Sequence, residues 1–581
     1  SSAASDVYKR QNYTKTFAKK HNLNVMAGVN AEEEEYKYLY GTRNVMYDQE
    51  GYPELNMAGK DGQDLSWNHT SRASAGYFGR INYDYKGIYL LELNGRYDGS
   101  SRFPHTDQWA FFPSASIGYR FSEEAYFAPL KHIVSNGKLR ASFGEIGNEA
   151  VGDYMFEQLI SQRLNNKSTG YIYWIENNNA NANLLTMYNM PDLVSSTLTW
   201  ERIRTLNIGL DLGLLNDELT IGFDWFQREN RDMLAPAQVL PNTLGASAPY
   251  ENAGTLRTRG WELNLNWRHT FGDFDVYANF NIGDSKTKVT KWDNDSKLLS
   301  TYYTGKTYGD IFGFETDRYF EEKDFTSQNA DGSWNYANGI ASQAGLESGN
   351  FHYGPGDVKF KDLDGNGKID GGKGTADDHG DLKVIGNSMP RYEYSFHLGG
   401  AWKGIDLDLY FQGVGKREDW TTSSLNLPAM VHADVAIYSH QTSYNKVLWN
   451  SDYTAITGYE VNQGNRYPRL YRGTNNSGGT VSGIANGCNN YYPQSRYLTD
   501  MSYLRLKNVT VGYTLPKEWT RKAYIEKARI YFSGSNLFLL HKGNDLPVDP
   551  EISTGNGLTA GGWGRIAPIT RTFSFGVQVT L

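Results

Sequence analysis

The 581-residue sequence contains a single cysteine, Cys488, and no run of about 18 apolar residues. A lone cysteine cannot form an intramolecular disulfide, and it excludes a metal cluster built on several cysteines. The absence of a long apolar run excludes a membrane protein built from transmembrane helices. The net charge of -8 lacks the basic excess that phosphate neutralisation requires, so we expect no nucleic-acid partner.

Signatures of common enzyme classes are also absent from the sequence. The 11 histidines include no H-E-x-x-H motif, and no G-x-S-x-G nucleophile elbow is present. No other group of residues is spaced for acid-base or nucleophilic chemistry. We therefore expect that the protein is not an enzyme.

A repeated alternation of apolar and polar residues is the strongest positive feature of the chain. Leu206, Ile208, Leu210 and Leu212 alternate with polar or glycine positions, and after a short turn the pattern resumes at residue 219. Because successive strand side chains point to opposite faces, such a strand has one apolar and one polar face. Aromatic residues make up 14% of the chain, with 42 Tyr and 14 Trp, residue types that are favoured at membrane-water interfaces.

The alternation repeats in about fifteen segments, with short turns at one end and long polar loops at the other. The predicted strands are 12–19, 23–30, 75–85, 88–98, 113–121, 138–145, 204–214, 219–229, 261–267, 274–282, 392–398, 405–411, 503–513, 528–538 and 570–581. The long loops are 31–74, 99–112, 146–203, 230–258, 285–390, 413–502 and 539–569. This pattern predicts an all-β protein, a transmembrane antiparallel β-barrel with short periplasmic turns and long extracellular loops.

The odd strand count predicts an incomplete barrel. Single-chain bacterial barrels generally have an even number of strands, and a barrel in lipid tolerates no open edge. We therefore expect residues 12–581 to be the C-terminal part of a longer barrel, although one misassigned strand would also give an odd count. Residues 1–11 fit no strand pattern and are interpreted as a non-native scar, and no signal peptide is recognised. Alternating Phe573, Phe575, Val577, Val579 and Leu581 suit a closing strand.

Several segments, in the same order along the chain, resemble the SusC/RagA family of TonB-dependent outer-membrane transporters. They are RASAGYFGRINYDYKGIYLLELNGRYDGSSRFP at 72–104, WAFFPSASIGYRFSEE at 109–124, NIGLDLGLLNDELTIGFDWF at 207–226, NAGTLRTRGWELNL at 252–265, GDVKFKDLDGNGKID at 356–370, YLRLKNVTVGYTLP at 503–516 and ARIYFSGSNLFLL at 528–540. The resemblance covers nearly all of residues 12–581.

The resemblance implies a 22-stranded barrel, an N-terminal plug and a TonB box, of which this sequence would supply about fifteen strands and neither the plug nor the box. It also implies a location in the outer membrane of Bacteroidetes, contact with its lipid, and import of glycans or oligopeptides powered through TonB. A SusD-like surface lipoprotein would act as partner. The alternatives are a passive porin with a complete wall and a surface adhesin anchored by the barrel.

One segment of the 285–390 loop resembles a calcium-binding loop. Asp362, Asp364, Asn366, Lys368 and Asp370 occupy positions 1, 3, 5, 7 and 9 of an EF-hand-type pattern, in which position 7 contributes its backbone carbonyl. Position 12 holds Lys373 in place of the usual glutamate, so Asp377 or Asp378 would have to substitute. The alternative is a loop whose side chains only cap its own turns. A bound Ca²⁺ would stiffen the loop.

Substrate contacts are less specific in the sequence. Two sets of residues are candidates for substrate contact or for lining the lumen. Loop aromatics that could stack on sugar rings, or pack against a partner, are Tyr171, Tyr173, Trp174, Trp420, Trp449, Tyr491 and Tyr492. Polar residues expected to line the lumen as a hydrogen-bonded wall are Arg80, Asn82, Glu92, Asn94 and Arg96.

Overall fold

A computed structural model gives the architecture of most of the chain. It describes residues 2–43, 58, 64–158, 160, 162–164, 186–188, 191, 193–195, 197–236, 249–294, 296–348, 351–420, 426–427, 439, 441–470, 480–481, 484–485, 489–551 and 569–581. In these residues no helix has both the length and the apolar composition that crossing a membrane requires.

The main body is one antiparallel sheet of 15 strands, in which each strand pairs with the next one along the chain. The strands are β1 (Ser2–Phe17), β2 (His21–Thr42), β3 (Asp64–Tyr85), β4 (Tyr89–Ser100), β5 (Trp109–Tyr119), β6 (Val134–Asn148), β7 (Glu201–Leu214), β8 (Leu219–Pro236), β9 (Tyr250–Phe271), β10 (Phe274–Trp292), β11 (Arg391–Trp402), β12 (Ile405–Lys416), β13 (Tyr503–Thr514), β14 (Lys527–Lys542) and β15 (Thr572–Thr580). The predicted strand order is confirmed. Strands β1 and β15 are the two edges of this sheet.

Tight turns join most hairpins at the end assigned to the periplasm, whereas longer segments with helical turns connect β5 to β6 and β13 to β14. The β11–β12 turn consists of Lys403 and Gly404, both with positive φ (46° and 90°), and Trp402 pairs directly with Ile405 across it. Positive φ at both turn residues matches the right-handed twist of the flanking strands, which is why such turns join hairpins. The predicted Gly272-Asp273 turn also has two residues, with Phe271 paired directly to Phe274, but only Gly272 has a positive φ (60°).

Two expectations about the first strands are wrong. Strand β1 begins at Ser2 rather than at residue 12, because residues 2–11 pair without a break with residues 27–36 of β2. The predicted 31–74 loop is also mostly strand, because β2 and β3 remain paired from His21–Tyr85 to Thr42–Asp64. Both strands are 22 residues long, about twice what a membrane crossing requires, so they continue beyond it. The interpretation of residues 1–11 as non-native stays a prediction.

Exposed apolar side chains form a band on the outer face of the sheet. Ile81, Leu93 and Ile117 project from β3, β4 and β5 with 42%, 41% and 59% of their surface exposed. Stacked aromatic rings border this band on both sides. Tyr97 and Trp109 lie 5.1 Å apart toward the long-loop end, and Tyr89 and Tyr119 lie 5.2 Å apart at the turn end. Such a band between two aromatic belts is typical of a wall that faces lipid.

The largest group of buried side chains lies in the long loops, not in the sheet. This group, here called the loop core, consists of Phe314, Tyr319, Phe320, Phe325, Leu346, Phe351, Tyr353, Val358, Phe360, Ile369, Leu427, Tyr467, Tyr491, Tyr492 and Tyr497. It combines residues of the β10–β11 connection with residues of the β12–β13 connection. The predicted 285–390 region therefore packs together with the second long loop.

Short elements build the connections. Paired segments are Asp310–Phe314 with Leu382–Asn387, Thr316–Tyr319 with Val358–Phe360, Phe325–Gln328 with Trp334–Tyr336, Glu418–Asp419 with Thr499–Asp500, Lys446–Trp449 with Ile456–Glu460, Thr480–Val481 with Ile484–Ala485, and Gln162–Leu164 with Thr186–Tyr188. Within the described parts of the chain, one α-helical turn spans Lys517–Thr520, and 3-10 turns span Phe121–Glu123, Ala125–Leu130, Glu322–Asp324, Ala344–Leu346, Asn489–Tyr491 and Arg521–Ala523.

The exposed band predicts an asymmetric response to charge. In the membrane-inserted protein, Ile117→Arg should lower the free energy of unfolding by about 2–4 kcal/mol, because it places a guanidinium in hydrocarbon. Ser116→Arg is the matched control, because Ser116 pairs with the inward-facing Glu92, and this substitution should cost much less. Urea unfolding in lipid vesicles measures both. Equal losses for the two variants would contradict the assignment of faces.

Candidate functional site

Ion pairs between neighbouring strands cover the inner face of the wall. Arg140 on β6 lies between Asp211 on β7 and Asp224 on β8, with Nε 2.7 Å from Asp211 Oδ2 and Nη2 2.9 Å from Asp224 Oδ2. Alternation places these three side chains opposite the apolar face of the same strands. Paired guanidinium groups hold the inner wall in a fixed hydrogen-bonded arrangement.

The residues expected to line the lumen lie on this inner face, and three of them, Arg80, Glu92 and Asn94, are joined by hydrogen bonds. Arg80 Nε donates to Asn94 Oδ1 at 2.7 Å, and Asn94 Nδ2 donates to Glu92 Oε1 at 2.8 Å. Arg96 Nη2 donates to Asp98 Oδ1 at 2.7 Å. A shallow cavity of about 520 Å³ lies over this face, with Asn82, Glu92, Ser116 and Arg140 among its lining residues. These hydrogen bonds agree with the predicted polar, hydrogen-bonded inner wall.

A buried ion pair joins the two long loops. Asp357, in the β10–β11 connection, is fully buried, and Arg469 of the β12–β13 connection places Nη2 2.7 Å from Asp357 Oδ2. The same oxygen accepts the Gly354 N–H at 2.8 Å, and Oδ1 accepts the amide of Asn490 at 2.8 Å. Since a buried charge without partners is strongly destabilising, these contacts make the packing of each loop depend on the other.

The predicted calcium loop forms a tight turn at the edge of the loop core. Asp362 accepts the N–H groups of Gly365 at 2.7 Å and Gly367 at 2.8 Å, and Asn366 Oδ1 accepts the Lys368 N–H at 2.8 Å. Asp370 Oδ1 accepts the Gly372 N–H at 2.7 Å. Gly367 has φ of 81°, in the region that an L side chain rarely adopts.

Asp381 is the acidic residue that the sequence analysis missed. Carboxylate oxygens of Asp362, Asp364 and Asp381 lie within 4.8 Å of one another. Asp381 is fully buried, and its two oxygens accept the N–H groups of Leu363 at 2.6 Å and Asp370 at 3.0 Å. Asp381 follows the motif in the sequence, at a position that the EF-hand spacing does not include. Folding of the chain brings its side chain next to the 362–370 turn.

The two residues expected at position 12 lie elsewhere. Asp377 forms an ion pair with Lys297, whose Nζ is 2.8 Å from Oδ2. Asp378 lies 3.8 Å from Lys373 Nζ. The acidic cluster in the described residues contains neither of them, and Asp381 is its third member. A ligand role for Asp377 or Asp378 stays a prediction.

The aromatic candidates for substrate contact have different surroundings. Tyr491 and Tyr492 belong to the loop core, and the Tyr492 hydroxyl donates to the Leu346 carbonyl at 2.9 Å. Trp420 packs against the same core, whereas Trp449 is 46% exposed. Tyr171, Tyr173 and Trp174 lie outside the described residues. Among the described candidates, Trp449 therefore remains the most accessible.

Two carboxyl groups in the loops have shifted pKa values in opposite directions. Hydrogen bonds from Lys361 and Lys383 lower the pKa of Glu315 to about 2. Burial raises the pKa of Asp419 to about 6, and Arg417 counteracts this only in part. Arg417 Nη2 approaches Asp419 Oδ2 at 2.8 Å, but the carboxylate receives no well-directed hydrogen bond from the residues that the structure describes. Asp419 is thus a buried carboxylate with weak compensation.

Comparison with known proteins identifies the same architecture in a large family. The sequence model of a family described as TonB dependent receptor-like, beta-barrel, matches residues 2–379. TonB-dependent receptor P3 of Formosa agariphila is 27% identical and aligns with 98% of this chain and 51% of its own length. TonB-dependent receptor SusC of Bacteroides thetaiotaomicron is 25% identical over 84% of this chain and 42% of its own length.

A solved structure agrees with the fold. The RagAB peptide transporter aligns with a TM-score of 0.71 at 18% identity, over 100% of this chain and 55% of that chain. At this identity the likeness shows the fold alone. This chain spans about half the length of the relatives that it matches. The resemblance to SusC and RagA proteins inferred from the sequence is confirmed.

The shifted carboxyl group predicts a pH-dependent loop contact. The pKa of Asp419 is raised from 3.8 to about 6, so the folded loop favours the protonated carboxyl group. The stability that this group contributes to the folded state is therefore complete below pH 3.8 and is lost as the pH rises through 6. Asp419→Asn should remove this dependence of stability on pH. It should also make the β12–β13 connection more stable at neutral pH, by at most about 3 kcal/mol. Limited proteolysis of that loop between pH 4 and 8 measures the effect, with the exposed Asp377→Asn as control. An unchanged pH profile in Asp419→Asn would contradict it.

Proposed function

The chain belongs to the TonB-dependent receptor β-barrel family, and on that premise we propose that it forms part of the wall of an energised nutrient importer. Proteins of this family lie in the bacterial outer membrane and are transport proteins, not enzymes, as expected from the sequence. The proposed cargo is a glycan or an oligopeptide. The importing unit would be the whole protein, of which this chain supplies the strands described above.

The division of the wall into two faces is the observation that supports import most directly. The outer face is apolar and bordered by aromatic rings, and the inner face carries charged side chains in fixed pairs such as Arg140 with Asp211 and Asp224. A wall with this division can enclose a polar plug and a polar cargo inside lipid.

The proposed partners follow from the family. A SusD-like lipoprotein would cover the extracellular side, where the loop core gives the barrel a firm, folded rim. TonB would contact the plug-bearing portion of the protein, in the part of the relatives' length that this chain does not span. The relative named RagAB is described as a peptide transporter, which keeps oligopeptides among the proposed cargoes here.

Import can be tested in cells that carry the complete gene. Deletion of the gene should abolish growth on at least one soluble polysaccharide or peptide mixture supplied as sole carbon source, and deletion of TonB should have the same effect. Growth that requires the gene but not TonB would indicate a passive porin. Loss of surface binding with unchanged growth would indicate an adhesin. Either result would overturn energised import.

For the acidic loop we propose a structural Ca²⁺ site. Asp362, Asp364 and Asp381 would provide carboxylate oxygens, with the Asn366 side chain and the Lys368 carbonyl as further oxygen donors. Their hard oxygen atoms and their spacing suit Ca²⁺, which takes six to eight such ligands. The ion would hold the 362–370 turn against Asp381 and so stiffen the rim of the loop core.

The proposed site predicts protection of the loop by calcium. Added Ca²⁺ should slow proteolytic cleavage within residues 356–382 of the purified protein, and Asp381→Asn should remove most of that protection because it deletes a central donor charge. Asp377→Asn also removes one negative charge, but outside the cluster, so Ca²⁺ should still protect the loop of this variant from cleavage. Chelator-treated samples give the reference rate. Cleavage that is independent of Ca²⁺ in the unmodified protein would rule the site out.

A further inference from the structure

A row of three tyrosines lies on the part of the β2–β3 hairpin that extends beyond the membrane band. Tyr36, Tyr38 and Tyr40 occupy alternate positions of β2, so their side chains share one face of the hairpin. They are 42%, 43% and 48% exposed. The rings of Tyr38 and Tyr40 are 6.3 Å apart and nearly parallel, with an interplanar angle of 10°. We call this row the tyrosine ladder.

The ladder faces the inside of the barrel. Val29 pairs with the outward-facing Tyr77, and the pairing of β2 with β3 continues without a register shift to Thr42. Odd-numbered residues of β2 therefore face outward and even-numbered residues face inward. Asn30, an even-numbered residue lower on the strand, accepts a hydrogen bond from the inward-facing Arg96 at 3.2 Å. The tyrosines thus continue the inner wall toward the extracellular end.

A small hydrogen-bonding residue lies across from each tyrosine. The register pairs Tyr36 with Thr70, Tyr38 with Asn68 and Tyr40 with Ser66. Paired residues point to the same face of an antiparallel sheet and lie about 5 Å apart. Each level of the ladder therefore combines an aromatic ring with a hydroxyl or an amide, and none of these six residues is charged.

The opposite face of the hairpin differs in chemistry. Lys37, Glu35 and His69 form a charged cluster there, in which His69 Nε2 lies 2.8 Å from Glu35 Oε1. Leu39 and Trp67 lie above it, 65% and 61% exposed. The concentration of tyrosine with small polar residues is therefore a property of the inner face, not of the whole hairpin.

The aromatic character continues downward along the inner wall. Below the ladder, Arg72 and Glu34 form an ion pair, and Tyr8 stacks on Phe78 with ring centroids 5.6 Å apart. The guanidinium of Arg96 lies 5.3 Å from the centroid of the Phe78 ring. Aromatic rings therefore lie along the inner surface from the tyrosine ladder down to Tyr8 and Phe78.

We propose that the tyrosine ladder is an entry site for a neutral glycan chain. The C–H faces of a pyranose ring are apolar and its rim carries hydroxyl groups. The ring can stack on a flat aromatic surface while neighbouring hydroxyl and amide groups exchange hydrogen bonds with the rim. Exposed tyrosine rings at regular spacing, each beside Thr70, Asn68 or Ser66, meet both needs. This inference rests on the proposed import function and selects glycan from its two cargo classes.

The alternatives fit the ladder less well. Lipid is unfavourable because the tyrosines face inward, with the charged Glu34 and Arg72 next to them on the same face. An oligopeptide presents charged ends and an amide backbone, for which binding by β-augmentation needs an open strand edge. The tyrosines of β2 instead lie in a strand whose backbone is already paired with β3.

Affinity electrophoresis of the purified complete receptor in detergent tests the proposal. The probes are soluble starch, laminarin, xylan and galactomannan in the gel, with polygalacturonate as the anionic comparison and a casein digest as competitor. The unmodified protein should be retarded by at least one neutral polysaccharide. The triple variant Y36A/Y38A/Y40A should bind that probe at least about tenfold more weakly, because it removes three stacking surfaces.

Two control variants separate stacking from a general effect on the hairpin. Y36F/Y38F/Y40F keeps the rings and should stay within about threefold of the unmodified affinity. Trp67→Ala removes an aromatic ring from the opposite face and should leave binding unchanged. Three results would each overturn the ladder as a glycan site. The first is an equal loss of retardation in Trp67→Ala, and the second is the absence of retardation by any neutral polysaccharide. The third is unchanged binding in the triple alanine variant.

Growth on the bound polysaccharide keeps this test distinct from that of import. If import is TonB-dependent but the triple alanine variant grows with an unchanged half-saturating polysaccharide concentration, the ladder proposal fails and energised import stands. If the purified receptor binds the probe through the ladder but growth does not require TonB, energised import fails and the binding site stands.

Discussion

Backbone hydrogen bonding in lipid is the constraint on which the rest of this structure depends. An N–H or C=O group without a partner costs several kcal/mol in hydrocarbon, so each strand must pair along its full membrane-crossing length. Continuous antiparallel pairing then fixes the alternation of side chains, and with it an apolar outer and a polar inner face. The folded rim, the ion-paired interior and the tyrosine ladder all take their positions from this pairing.

The sequence was sufficient to predict the wall because its signal is local. Alternation such as that of Leu206 to Leu212, together with short turns such as Lys403-Gly404, places strands and hairpins without knowledge of distant contacts. The order of the strands followed from the same rule, since hairpin neighbours pair with each other. The polar inner contacts of Arg80, Glu92 and Asn94 followed from their alternation.

What the sequence did not predict depends on competing or distant signals. The 31–74 segment was predicted to be a loop, although alternating tyrosines begin at Tyr36 and residues 31–42 continue the strand. Asp381 joins Asp362 only because the loop folds back, and no motif spacing indicates it. Tyr491 and Tyr492 are buried by residues more than 100 positions away, so their accessibility could not be inferred from local composition.

The loop core makes one unit out of two stretches of chain that leave the wall at different places. Asp357 in the first is neutralised by Arg469 in the second, and Tyr353 donates its hydroxyl proton to the Asn489 carbonyl at 2.6 Å. Neither stretch can therefore change its buried residues independently. In the evolution of this receptor the two connections should diverge together, as one inherited module, while exposed single positions such as Trp449 are free to vary on their own.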